Sequence, residues 1–357
     1  MDHVHPNLRL WGEIPGAPGH VINVAVPGIG NPDATAPALR RAGSARLPDG
    51  GHMRSPDAMS RSEFDSLYRR LRDTAPGGAL GTITPEQVLA SAREVRSGRT
   101  VSLAAPVDTT RGPDNAEPAV HRLTAPAGGV PESNGLQFAR DRIAMNIHGD
   151  VDSHIDALCH VIYDGTVHGG VPAADALSPD GANEKSIDLA RDGIVSRGVL
   201  LDIPRLHGVP WLEPGSHVTI EDLAAAEARQ GLRVDRGDIL LVRVGHRRRR
   251  DEFGPWDVAD ARAGLHPTAM RFLADRQVAV LGSDGNNDTA PSATQGVAYP
   301  VHVLAIHAMG LHLMDYLGFE DLAPLCAREG RWTFLCVIAP LRLPAATGSP
   351  VNPIAIL

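Results

Sequence analysis

Residues 147–160 read I-H-G-D-V-D-S-H-I-D-A-L-C-H, and the even-numbered positions are the informative ones. His148, Asp150, Asp152, His154 and Asp156 recur every second residue, with Ile147, Val151 and Ile155 between them. On an extended strand alternate side chains share a face. One face of this segment would then be imidazole and carboxylate, and the other mostly small or apolar. Burying unpaired charges is costly. A divalent cation removes that cost, because these groups are ligands for zinc, manganese and iron. An edge strand with a solvated polar face shows the same alternation. The scarcity of Lys, Ser and Thr at the even positions favours the metal.

A second histidine cluster reads V-H-V-L-A-I-H-A-M-G-L-H-L-M-D-Y over 301–316, and a helix is expected from about Val301 to Leu317. His302 and Asp315 would lie about 140° apart round an ideal helix. Sharing one metal requires a break near Gly310. Alternatively His312 and Asp315, three residues apart, pair with each other.

The chain has 357 residues, 43% hydrophobic and 21% charged, which is a globular composition with ample core. A formal net charge of -8 argues against a general nucleic-acid binder. No stretch approaches about 18 consecutive apolar residues, so no membrane span is expected. The N-terminus lacks the basic and apolar regions of a secretory signal. Cys159, Cys326 and Cys336 form no CxxC pair, and reduced thiols fit a cytoplasmic protein. The run H-R-R-R-R-D-E at 246–252 lacks aromatic interleaving and reads as a solvated loop. These features point to a cytoplasmic enzyme with a small-molecule substrate and with neither nucleic acid nor membrane as partner.

Residues 1–58 are rich in Gly, Pro and Ala, with turn strings such as V-P-G-I-G-N-P-D, and read as an arm preceding a domain over 59–357. Within the domain, Ser60 to Arg72 carries helical apolar spacing and a capping box of Ser60 with Glu63. Thr84 to Arg96 reads as a second helix with Pro85 in its first turn. Thr100 to Ala104 is a short strand. Downstream, R-G-V-L-L-D-I-P, R-G-D-I-L-L-V-R-V-G and Q-V-A-V-L-G-S-D read as buried strands. Helices over Thr219 to Gly231 and Pro267 to Arg276 alternate with them, and R-W-T-F-L-C-V-I-A-P-L reads as the closing strand. The order signals an α/β fold, one main domain around a mixed or parallel sheet.

The segment S-H-I-D-A-L-C-H resembles the metal-binding signature of the cyclase family, which includes bacterial kynurenine formamidases and isatin hydrolases. The usual pattern is His-x-Gly-Thr-His-x-Asp-x-Pro-x-His. Other stretches resemble that family's longer bacterial branch: P-G-G-A-L-G-T-I-T-P-E-Q-V-L-A from Pro76, R-G-V-L-L-D-I-P-R-L-H-G-V-P-W from Arg197, and T-G-S-P-V-N-P-I-A from Thr347. The resemblance implies a swivelling β/β/α fold with a mixed sheet, a divalent metal (Mn2+ or Zn2+) and a homodimer or homotetramer. It carries metal ligation to His154, Asp156, His302 and Asp315, and the general acid/base role to His160. The signature's first His is replaced by Asp150 and its Gly by Asp152. Asp150 is expected to serve as a further ligand to a hard cation, with His148 as the residue able to take over.

The implied chemistry is hydrolysis of an amide, lactam or formamide C–N bond. A cation with an open position lowers the pKa of bound water and polarises a carbonyl. His160, titrating near neutrality, would move a proton from water to the leaving nitrogen. No G-x-S-x-G elbow is present, which disfavours a serine hydrolase. Cys159 is expected to pack inward. A cyclase or dehydratase of secondary metabolism, or a non-catalytic member with an altered site, are the alternatives.

Overall fold

The continuous apolar runs become the middle of a nine-stranded sheet in the computed structural model, which describes residues 58–72, 78–125 and 135–357. Apart from Ala58, the arm expected over 1–58 lies outside the described residues. In chain order the strands are Thr100–Ser102 (β1), His154–Asp156 (β2), Ile194–Asp202 (β3), Ile239–Arg243 (β4), Val280–Ser283 (β5), His312–Asp315 (β6), Thr333–Ile338 (β7), Gly348–Pro350 (β8) and Ile354–Ile356 (β9). Across the sheet they run β1-β9-β7-β3-β4-β5-β6-β2-β8. The strands from β3 to β6 are mutually parallel. The flanking pairs are antiparallel, including β2 against both β6 and β8. The fold is α/β with one mixed sheet, as expected. The run from Arg331 is not the last strand, because β8 and β9 follow it and pair back into the sheet.

Alternation within the buried strands feeds two apolar clusters. Leu240, Val242, Leu281 and Leu313 join one, while Ile239, Leu241, Val280 and Met314 join the other. Helix α1 (Arg61–Arg72) buries Phe64, Leu67 and Leu71 in the first cluster, each such side chain contributing roughly 1.5–3 kcal/mol. Its capping box forms, with Ser60 N donating to Glu63 Oε2 at 2.8 Å. Helix α2 (Pro85–Ser91) starts from Thr84 as N-cap and gives way to a 3-10 turn over Ala92–Glu94. Helix α3 (Ile220–Gln230) has a complete capping box of Thr219 with Asp222 and ends on left-handed Gly231.

The run from His246 forms helix α4 (His246–Phe253) and not a solvated loop. His246 and Arg247 are buried, and Arg250 pairs with Asp108 and Asp114. The partners lie far away in sequence, so the run's composition alone conceals them. Among the described residues no helix is long and apolar enough to cross a membrane.

Candidate metal centre and active site

Strand geometry holds only over β2, where His154 and Asp156 share a face and Ile155 turns into the core. Residues 147–153 turn and bend instead of extending the strand. His148 nevertheless arrives at the site by this detour. Its Nδ1 donates to Asp156 Oδ1 at 2.8 Å, and its Nε2 lies 3.0 Å from Thr347 Oγ1. Gly348, opposite Asp156 on β8, makes room for the ring: a Cβ there would come within 2.7 Å of His148 Cε1.

The expected helix over 301–317 is three elements. Pro300–His302 is one helical turn, Val303–Ala308 is π-helical, and Gly310 at φ 63° lets the chain turn into β6. Register then places Asp315 directly opposite His154. His312 does not pair with Asp315; its Nδ1 donates to the Asp156 carbonyl at 2.8 Å.

The ring nitrogens are sorted by their outer partners. His154 Nδ1 donates to the Asp152 carbonyl at 2.8 Å, leaving Nε2 3.7 Å from Asp156 Oδ1. His302 Nδ1 donates to Asp288 Oδ2 at 2.7 Å, leaving Nε2 3.2 Å from Asp315 Oδ2 and 3.6 Å from Asp156 Oδ2. Fixing one imidazole nitrogen through a carbonyl or carboxylate orients the other as a metal ligand. Asp315 is itself held by Asn286 Nδ2 at 3.2 Å and by the Asn287 backbone N–H at 3.1 Å.

Asp156 Oδ2 is buried and accepts no hydrogen bond, which is costly for a carboxylate without a cation. Ligand atoms of His154, Asp156 and Asp315 come within 4.8 Å of one another, and so do those of His148, Asp156 and His160. Mixed imidazole and carboxylate donors of this kind fit zinc, manganese or iron. Although burial alone would raise it, the Asp156 carboxyl is held well below its ordinary range by the His148 hydrogen bond and the imidazoles of His160, His154 and His302. His302 moves the other way. Burial opposes its charge, but Asp315 and Asp288 outweigh that and raise it well above its ordinary value.

Asp150, expected as a ligand, stands apart from both groupings. It is exposed, and its Oδ1 accepts from the Tyr316 hydroxyl at 2.9 Å. Asp152 is buried elsewhere, accepting from the Asp108 backbone N–H at 2.9 Å. His160 is stacked on His148 and lines the same cavity. Burial pushes it down to about 4, with the neighbouring imidazoles adding to the effect and Asp156 opposing it. That value lies below the titration near neutrality expected from the sequence. Cys159 is fully buried, and burial pushes its thiol up to about 11, as suits a packing residue.

Sequence reasoning did not find Asp288, Asn286, Asn287, Tyr316 or Arg247. The first three belong to S-D-G-N-N-D at the carboxyl end of β5. A polar run just past a buried parallel strand is where ligands bind in open α/β sheets, so that signal was present. Arg247 donates to the carbonyls of Val151 and Tyr316, tying the turn before β2 to the residue after β6.

His148, Asp150, His154, Asp156, His160, Asn286, His302 and Asp315 line a cavity of about 530 Å3, whose other wall includes Val161, Ile162, Tyr163, Val297 and Tyr299. The Cyclase family model matches residues 76–287. A crystal structure described as a novel cyclase is 30% identical with a TM-score of 0.70, covering 81% of this chain and 99% of that one. Isatin hydrolase A from Labrenzia aggregata, bound to benzyl benzoate, is 21% identical with a TM-score of 0.51, covering 76% of this chain and 97% of that one. At that identity the likeness is one of fold. No curated protein matches the sequence.

Proposed function

Since the chain belongs to the cyclase family, we propose that it is a metal-dependent hydrolase opening an amide, lactam or formamide C–N bond. The observation that carries this reading is the buried, unpartnered Asp156 Oδ2, with His302 Nε2 at 3.6 Å from it and ligand atoms of His154 and Asp315 grouped with the same carboxylate. His154, Asp156, His302 and Asp315 would hold the divalent cation, zinc or manganese, and His148 supplies the further imidazole in place of Asp150. When bound, such a cation polarises a carbonyl and acidifies water.

The chain's own groups do the rest. His160, neutral and stacked on His148, takes the proton that the attacking water loses and returns it to the departing nitrogen. Asp288 keeps His302 in the tautomer that leaves Nε2 available. Val161, Ile162 and Tyr299 form an apolar wall that receives the body of a small organic substrate.

The test is a screen of cyclic amides, lactones and N-formyl aromatics against metal-reconstituted protein, followed as product formation. Stoichiometric metal with turnover of a C–N substrate supports the reading. Failure to bind zinc, manganese or iron overturns it, and so does a metal-loaded protein that opens only lactones.

A further inference from the structure

The cavity has an uneven distribution of charge. Three carboxylates line it, those of Asp150, Asp156 and Asp315, and among the described residues no Lys or Arg does. Asp156 and Asp315 are buried and face the imidazoles, so a bound cation would offset them. Asp150 is different. It is exposed to the cavity, forms no ion pair among the described residues, and has a single hydrogen-bond partner, the Tyr316 hydroxyl.

Tyr316 is built to hold that carboxylate in place. The side chain is fully buried, yet its backbone sits at φ 54°, a left-handed conformation rare for a bulky residue. Such conformations persist only where surroundings over-determine them, and they cluster at functional sites. Here the Tyr316 N–H donates to the Gly285 carbonyl at 3.0 Å, and the Tyr316 carbonyl accepts from Ser153 Oγ and Arg247. The phenol packs 6.4 Å from the His154 ring and 5.4 Å from the His246 ring, centroid to centroid. Asp150 is thus a preorganised anion beside the metal ligands, facing an apolar wall in which Ile162 and Tyr299 are 52% and 46% exposed.

We infer that Asp150, positioned by Tyr316, is a specificity residue that selects substrates carrying a protonated amine on an apolar body and rejects those carrying a carboxylate. A cationic N–H beside a fixed carboxylate makes a charge-assisted hydrogen bond. An anion there meets the like charge of Asp150. The inference rests on the hydrolase reading for the place of the reacting group, but it concerns binding and is separable from turnover.

Three benzamides of similar size provide the test: 4-(aminomethyl)benzamide, 4-methylbenzamide and 4-carboxybenzamide. Each is titrated calorimetrically into zinc-loaded full-length protein. The amine is expected to bind about tenfold tighter than the methyl compound, and the carboxylate more weakly than either. Asp150→Asn should remove the preference while zinc stoichiometry stays unchanged. Tyr316→Phe should reduce it, and it provides a second measurement if the Asn variant fails to fold. Equal binding of all three compounds, no binding of the amine, or an unchanged preference in both variants overturns the inference. Loss of zinc in Asp150→Asn also overturns it, by making Asp150 a ligand. A protein that binds no metal at all fails the hydrolase reading instead, which the zinc titration reports separately.

Discussion

The imidazole of His160 lies flat on that of His148, their centroids 3.7 Å apart and their planes 7° from parallel. One ring of the pair is hydrogen-bonded to Asp156, while no hydrogen bond to the ring of its neighbour is seen among the described residues. The stack therefore keeps a free imidazole next to the ligand cluster. His160→Ala should retain metal and fold yet lose on the order of a hundredfold or more in kcat. Steady-state kinetics with metal analysis on one preparation decides this. Loss of metal in that variant would make His160 a ligand.

The ligand set is tested by substitution. His154→Ala should abolish stoichiometric metal, and His148→Ala should weaken affinity by about ten- to a hundredfold. Asp150→Ala should change it little, because its carboxylate belongs to Tyr316. Competition with a chelating dye ranks the three. A larger loss in Asp150→Ala than in His148→Ala would reverse the assignment.

Metal binding should release a proton. Without a cation, His302 is held charged between Asp288 and Asp315, so the proton on Nε2 occupies the place a metal would take. Titrating zinc at pH 7 in buffers of different ionisation enthalpy should give a release of about one proton, with affinity rising as pH rises. Identical heats in all buffers would count against it.

Part of the acid sensitivity of the metal-free protein should be traceable to His246. Burial, reinforced by Arg247, Arg250, Arg249 and Arg262, pushes it down to about 3. A histidine depressed in the folded state contributes stability above its unfolded value of about 6.5, and that stability is lost as pH falls toward 3. By pH 5 the loss should be about 2 kcal/mol. Urea unfolding at pH 8 and pH 5 measures it. The pH difference should shrink by that amount in His246→Gln, and an unchanged difference would assign the acid sensitivity to other groups.

Much of the scaffold was legible because its signals are local. The Ser60–Glu63 and Thr219–Asp222 boxes and the apolar runs of β3 and β4 each depend on a few neighbouring residues. What was missed depends on distant partners. Two-residue alternation from His148 to Asp156 does not reveal that the chain bends before His154 and brings the His148 ring onto Asp156. Nor does H-R-R-R-R-D-E reveal that Arg247 will meet two backbone carbonyls from segments on either side of it in sequence. In the helix expected over 301–317, apolar residues suited both a helix and a strand, and the left-handed glycine decided between them.

The place of β2 between β6 and β8 also has a consequence in time. A chain leaving the ribosome exposes His154 and Asp156 long before either flanking strand exists. Pairings between such distant segments are slow to form. Until Asp315 and then Gly348 have emerged, the imidazoles and carboxylates have no cradle, so capture of the cation is a late event in biogenesis.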